Sequence, residues 1–441
     1  MRKLKKIVLY VYIHVNGDSM ILEELKKIAL ECGADDAGVI SVYNDKISPD
    51  REQILKGFPY AKSLISFVIK VNPNPVRTPT RSIANMEFHE GAHDVDSIER
   101  KIARKLVERG YKASMAGAMG FPMETNEWPR KMWYISHKLV AEAAGMGVMG
   151  INRNVIHPKF GNFIFLGTVV TDIELQENSL SKALDYSPCF DCKLCVASCP
   201  VGAISPDGHF NFSSCYTHNY REFMGGFGTL VEDIIESKSK KEFRTKVEDN
   251  ELVSWWQSLS GGANYKAAYC MAVCPAGDEI IGEYNDDKKA FKVNYLKPLR
   301  DKIEPVYVVK NSDAHQHVSK RFPHKKVRIV HNSLIPDSIA TFKHSIGNVF
   351  QRGQSKGIDC LYEFNFRGSE KEKIYIEIKD KKIAIINNPS QKPKIRIFVN
   401  TKSWFSLLAR ETNIFMMIIT GRLFILGNPK HLLKFGNCFP S

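Results

Sequence analysis

Cysteine placement between residues 189 and 200 constrains this chain more than any other feature. The run reads Cys-Phe-Asp-Cys-Lys-Leu-Cys-Val-Ala-Ser-Cys-Pro, which sets Cys189, Cys192, Cys195 and Cys199 at C-x2-C-x2-C-x3-C-P spacing. Bacterial iron–sulfur ligation uses this spacing. Three thiolates three positions apart point inward from one tight loop, and the fourth leaves on the next helical turn. Pro200 brings no amide of its own, and the amides ahead of it stay available to cluster sulfur. The alternatives are a zinc ribbon or a disulfide pair. Zinc ribbons favour two separated C-x2-C knuckles, and four cysteines inside eleven residues crowd too closely for that. A [4Fe–4S] cluster is expected here.

A second island repeats the ending. Cys270-Met-Ala-Val-Cys274-Pro275 is again C-x3-C-P, and Cys215 lies between the two runs in Ser-Ser-Cys-Tyr-Thr-His-Asn-Tyr. The duplication predicts two clusters with exchanged ligands. Cys189, Cys192 and Cys195 then share one with Cys274, while Cys199 joins Cys270 and Cys215 on the other. That makes seven ligands where two cubanes want eight. Ala267 stands where a full repeat would place the eighth. The second centre is then a [3Fe–4S] cluster, takes an outside ligand such as His218, or is absent. Cys215 also has a plain reading as a buried apolar cysteine.

The 441 residues give room for two or three domains. Ten cysteines, seven of them in ligand-like contexts, argue for a reducing compartment and against a disulfide framework. Cys32, Cys360 and Cys438 are scattered and expected to be buried. The net charge of +14 is uneven, with ten Lys/Arg over residues 291–330 against Asp301, Glu304 and Asp313. Such a stretch docks an acidic electron carrier or a polyanion, or is simply a solvated linker face. No aromatic-interleaved motif accompanies it, so no nucleic-acid partner is expected. The apolar run Ile7–Val15 is too short to span a bilayer and lacks a following cleavage site. No transmembrane segment and a cytoplasmic location are expected.

Along the chain, Ile21, Leu22, Leu25, Ile28, Ala29 and Leu30 recur at helical spacing, closed by Gly33. Residues 37–42, 63–70 and 163–170 read as buried strands. Pro73, Pro75 and Pro79 predict a loop over 71–90, followed by a long helix from about Asp94 to Gly110. A second helix is expected around Tyr134 to Ala144, ended by the turn Gly145-Met-Gly-Val-Met-Gly150. That turn follows a helix, not a strand, so it is no dinucleotide fingerprint. Gly145, Gly147 and Gly150 permit close approach of a flat cofactor or of another helix. From Ile335 the texture alternates: Tyr362/Phe364/Phe366, Ile374/Ile376/Ile378, Ile383/Ile385 and Ile395/Ile397/Val399 predict a four-stranded meander with one buried face. Asn400 or Thr401 caps a helix bearing Trp404, Leu407 and Leu408. The stretch Ile414–Ile419 either helps enclose a lipid-sized cavity or fills a core with Met416 and Met417.

Two resemblances follow from these blocks. His137-Lys-Leu-Val-Ala-Glu-Ala-Ala-Gly-Met-Gly-Val-Met-Gly150, Pro158-Lys-Phe-Gly161, Leu166-Gly-Thr-Val-Val-Thr-Asp172, the cysteine run and Cys215-Tyr-Thr-His-Asn-Tyr resemble the epoxyqueuosine reductase and reductive dehalogenase superfamily over roughly residues 20–280. Residues 335–436, with the alternating strands, Thr420-Gly-Arg-Leu and Gly427, look like a sterol carrier protein domain. The resemblance implies an α+β multidomain chain. Its parts would be an extension over 1–19, a nitroreductase-like α/β domain over 20–180 and a ferredoxin-type iron–sulfur domain over 181–290. A basic linker over 291–334 and a sterol-carrier-like α/β domain over 335–441 complete it. It also implies base-off cobalamin beside the two clusters. The chain departs from the reductases at Ile151, where they place a lysine. The usual cobalamin motif D-x-H-x-x-G is missing too, since Asp313-Ala-His-Gln-His-Val318 ends in valine.

The expected activity is an iron–sulfur oxidoreductase. Reduced ferredoxin or flavodoxin would supply single electrons, passed through the clusters to a corrinoid-type or substrate site. Tyr134 and His137, one helical turn apart, are the candidate catalytic proton donors. The rival from another class is a non-catalytic electron carrier or lipid-binding protein, with a hydrophobic ligand in the C-terminal domain.

Overall fold

The computed structural model describes residues 18–117, 124, 126, 133–175, 181–189 and 191–441. It is a mixed α/β multidomain chain in two compact bodies. One contains the described residues up to Cys195 together with Cys270–Leu296; the other contains Val196–Tyr269 and Lys297–Ser441. Nearly all of the expected extension over 1–19 lies outside the described residues.

The first body is built on an antiparallel sheet. Helix α1 (Asp18–Glu31) ends before Gly33, which adopts the left-handed φ of 113° that glycine accepts readily. Strands β1 (Asp36–Ser41) and β2 (Ser63–Lys70) follow, the latter buried at every residue but its last. Helices α2 (Pro73–Arg77) and α3 (Arg81–Glu108), strand β3 (Ala113–Met115), helix α4 (His137–Ala143), the short pair β4 (Val148–Met149) and β5 (Val155–Ile156), and strand β6 (Ile164–Thr171) complete it. The sheet order is β1-β2-β6-β3, with Val39 opposite Ile65 and Ile65 opposite Val169. On one face Leu25, Ile28, Val95, Ile98, Ile102 and Leu106 of α1 and α3 pack on the strands. On the other, Val140 and Ala143 of α4 pack with Ile40, Leu64 and Val170. Burial on both faces explains why these strands read as continuous apolar runs.

The proline-rich loop expected over 71–90 is instead mostly helical. Pro73 stands at the first position of α2, where no amide is needed, and the Asn72 side chain accepts from the Asn74 amide at 3.1 Å. Helix α3 accordingly begins at Arg81, well before Asp94.

In the second body, helices α5 (Phe212–Asn219), α6 (Met224–Glu236) and α7 (Asp249–Gly261) precede a parallel unit of β7 (Pro305–Val309), α8 (Asp313–Arg321) and β8 (Lys326–Val330). The basic stretch is therefore folded for the most part, while most of its basic side chains stay exposed as a solvated face. Lys325 is only 4% exposed and its ammonium pairs with Glu304 at 2.8 Å. Helix α9 (Ile339–Val349) opens the C-terminal part, followed by strands β9 (Cys360–Arg367), β10 (Glu372–Lys379), β11 (Lys382–Ile386) and β12 (Ile395–Asn400). Helices α10 (Thr401–Leu408) and α11 (Ile414–Ile419), strand β13 (Leu423–Gly427) and helix α12 (Lys430–Asn437) close it. All four expected strands form, but not as a meander. The order is β11-β10-β9-β12-β13, because β12 crosses over to lie parallel to β9 with Ile397 opposite Phe364. The crossover keeps Phe364, Ile376, Ile397 and Leu423 in one apolar layer against Phe342 of α9 and Trp404 of α10. Asn400 caps α10, accepting from the Ser403 amide at 3.3 Å. Met417 is buried in this core, while Met416 is half exposed.

Candidate iron–sulfur site

No disulfide joins any of the ten cysteines. In the first body the sulfurs of Cys189, Cys192, Cys195, Cys270 and Cys274 share one neighbourhood. Burial pushes the Cys195 thiol up, and the charges of Cys270, Cys274, Cys192 and Cys189 push it further. Burial likewise raises Cys274 to about 12, with Cys192, Cys189 and Cys270 again adding to the rise. Thiolates gathered this closely repel one another unless a cation lies among them. No three His, Cys, Asp or Glu side chains among the described residues are placed to hold a single metal ion. A cluster spreads its thiolates over separate corners, whereas a lone ion draws them to a point. The donor set fits an iron–sulfur cluster.

The backbone around these sulfurs is held from the glycine-rich side of the same body. The Ile151 amide donates to Cys189 Sγ at 3.4 Å. Asn152 and Asn162 each donate a side-chain N–H to the Cys270 carbonyl at 3.4 Å. Gly161, at φ 61°, lies against the turn after Cys274: a Cβ there would sit 1.6 Å from the Ala276 carbonyl oxygen. The sequence marked Gly161 only as part of a motif; the contact supplies its physical reason. Neither asparagine stood out, because a hydrogen bond across more than a hundred residues leaves no local pattern.

Cys199 and Cys215 belong to the second body. Cys199 is buried, which raises its thiol, and the amides of Ala203, Val201, Ile204 and Gly202 point at its sulfur and oppose that rise. The Ala203 contact is 3.3 Å. Such a ring of amides suits a sulfur carrying negative charge. Cys215 lies on α5, whose start is capped by Asn211 accepting from the Ser214 amide at 3.0 Å. His218, on the same helix, turns its Nδ1 to the Tyr307 amide at 3.3 Å, and its Nε2 is buried with no partner. Burial pushes His218 down to about 4, with Glu304 opposing and Lys266 and Lys325 adding to the shift. Ala267 is buried, its amide donating to Asn219 Oδ1 at 2.9 Å.

Tyr134 and His137 do not share a helical face. Ser136 has extended backbone at the start of α4, so the helix begins at His137 and Tyr134 lies before it. Tyr134 meets Phe58 edge-on at 6.4 Å and lines a cavity of about 440 Å³ with Phe58, Arg100, Arg104, Ser114 and Met115. Both nitrogens of His137 are engaged. Nε2 bonds the Gly117 carbonyl at 2.9 Å and Nδ1 the Thr168 hydroxyl at 2.9 Å. The carbonyl can only accept, so the ring proton sits on Nε2 and Thr168 donates to Nδ1. Burial lowers the His137 pKa further from the charged form. His137 is thus a structural tie in this conformation.

Beside it lies a carboxyl that the sequence reading missed. Glu99 is fully buried and accepts amide N–H bonds from Thr168 at 2.7 Å, Gly117 at 2.7 Å and Ala116 at 3.1 Å. Burial nonetheless pushes it up to about 7. Its signal was a lone acid on the apolar stripe Val95–Ile98–Ile102 of α3.

The three glycines of the turn approach their own chain. A Cβ would fall 2.4 Å from the Lys182 carbonyl oxygen at Gly145, 2.6 Å from that of Ile156 at Gly147, and 2.7 Å from Asn152 Oδ1 at Gly150. These glycines face protein, and the cavity beside Tyr134 measures about 440 Å³. Among the described residues, no helix is long and apolar enough to cross a membrane.

Comparison with known proteins agrees with the motifs. Residues 350–440 match the sequence model of the SCP-2 sterol transfer family. The epoxyqueuosine reductase of Lactococcus garvieae (strain Lg2) is 28% identical over 258 residues, 57% of this chain and 62% of its own. That of Staphylococcus aureus (strain NCTC 8325 / PS 47) is 37% identical over 152 residues, 34% of this chain and 32% of its own. This chain thus spans less than two thirds of either relative. A crystal structure of an epoxyqueuosine reductase with an epoxyqueuosine-modified tRNA stem loop aligns at 17% identity and a TM-score of 0.31, covering 46% of this chain and 57% of that one. The chain resembles epoxyqueuosine reductases and carries at its C-terminal end a segment matching the SCP-2 sterol transfer family.

Proposed function

We propose that the chain is an iron–sulfur reductase that receives single electrons from a small redox protein and delivers them to an organic substrate. The observation that carries this reading is the gathering of Cys189, Cys192, Cys195 and Cys274 in one neighbourhood, where burial and the neighbouring cysteines hold the Cys195 and Cys274 thiols protonated in the absence of a cation. A bound [4Fe–4S] cluster supplies one-electron chemistry at low potential. In this reading those four cysteines hold it, the Ile151 amide offsets negative charge at Cys189, and Asn152 and Asn162 fix the Cys270 turn. Cys199 and Cys215 are proposed for the second centre. The finer assignments, a nitroreductase-like N-terminal domain and a ferredoxin-like cysteine domain, belong to the same proposal.

Tyr134 is the better proton donor of the two candidates, because its ring lines a cavity whereas His137 is tied at both nitrogens. Anaerobic purification with iron, sulfide and EPR analysis tests the core of the reading. Bound iron and sulfide in near-equal amounts, with an EPR signal after dithionite, are expected; a colourless, zinc-loaded protein overturns it.

A second role is favoured by the family match over residues 350–440: that segment holds a hydrophobic ligand. Mass spectrometry of material extracted from the purified full chain tests it, and absence of any co-purifying lipid counts against it.

A further inference from the structure

The string Asp313-Ala-His-Gln-His-Val318 has no part in the function so far, and it lies beyond the residues that resemble the reductases. It forms the body of α8. The His317 ring hydrogen-bonds the backbone of Cys199, and its Nε2 is buried with no partner. The ring lies against Gly202, where a Cβ would fall 2.6 Å from both Cγ and Nδ1 of His317. Gly202 is also one of the four residues whose amides face the Cys199 sulfur. Its φ of 62° turns the chain sharply enough to aim successive N–H groups at one atom, forming an amide nest. A ring pressed on this glycine, and bonded to the residue that starts the turn, keeps the turn from unwinding.

We propose that His317 is a positioning residue for the Cys199 turn, fixing the amide nest and thereby setting the reduction potential of a cluster held through Cys199. The inference rests on the iron–sulfur reading. Its physical basis is that N–H groups aimed at a ligand sulfur stabilise the more negative, reduced cluster and raise its potential. Loss of the ring lets the nest splay, and the reduced form loses that support. The orphaned Nε2 also leaves one ring nitrogen with hydrogen-bonding capacity that the protein itself does not use.

The test compares wild type, His317→Ala, His317→Asn and Gly202→Ala in the full chain. In protein without iron, hydrogen exchange at the amides of Val201–Ile204 should quicken at least tenfold in His317→Ala, with most of the protection restored by His317→Asn. In reconstituted protein, EPR-monitored titration should move one of two potentials to a more negative value in His317→Ala, less so in His317→Asn, with iron content unchanged. Gly202→Ala, which displaces the ring, should follow His317→Ala. Unaltered exchange, or potentials equal in all variants at equal iron content, overturns the role of His317. Wild-type protein that takes up no iron overturns the iron–sulfur reading instead.

Discussion

The two sulfur regions solve the same electrostatic problem differently. In the first body, five thiols crowd together and push Cys195 and Cys274 up, while single amides such as those of Ile151 and Ala276 reach Cys189 and Cys274 separately. In the second, Cys199 sits in a nest of four amides that offset its burial. The crowd depends on a cation to be stable as thiolates; the nest partly supports its anion without one. A site of the first kind is expected to form only with iron, and one of the second kind to be shaped beforehand.

Replacing Cys195 by alanine gives the sharpest break in this comparison. It should remove about half of the bound iron and sulfide, as one of two clusters fails, while Cys32→Ala, in the core under the N-terminal sheet, leaves the content unchanged; iron and sulfide assays decide. Gly161→Ala comes next. A left-handed alanine with its Cβ against the Ala276 carbonyl should cost roughly 2–4 kcal/mol, read as a lower Tm with the loss centred on the first body.

Glu99 offers the first body's own example of an anion held by amides, and it sharpens the contrast through pH. Its folded pKa, about 7, lies above the unfolded carboxyl value, so the folded state keeps the proton longer. The Glu99 contribution to stability is therefore fully present below about pH 4.5 and is lost as pH rises through 7, by on the order of 3 kcal/mol in total. Thermal melts between pH 5 and 8 should show this decline, and Glu99→Gln should flatten it. The smallest effect is expected from Asn152→Ala, which loses one long bond to the Cys270 carbonyl, worth about 0.5–1 kcal/mol. A Tm change beyond that would mean Asn152 holds more than this carbonyl.

Local chemistry was legible in the sequence, and distant chemistry was not. Strand β2 and the alternating strands β9 to β12 announced themselves because their side-chain periods report directly which faces are buried. The crossover of β12 beside β9 left no such trace, since an alternating strand reads alike in either direction. The cysteine spacing pointed to a cluster because its ligands are close in sequence, yet it could not reveal Asn152, Asn162 or His317, which arrive from elsewhere. Tyr134 and His137 were paired on an assumed helix that starts three residues later than expected, a displacement set by the extended backbone of Ser136. His137 then proved to be tied at both nitrogens, something only the approach of Gly117 and Thr168 could show.

The path of the chain through its two bodies has a consequence for biosynthesis. The polypeptide leaves the first body after Cys195, returns at Cys270 and departs again after Leu296. A nascent chain emerging from the ribosome therefore cannot finish the first body until residue 296 is out, and Cys189, Cys192 and Cys195 wait some eighty residues for Cys274. Iron delivered before that point would meet an incomplete set of donors, which makes late metal insertion the productive order of events.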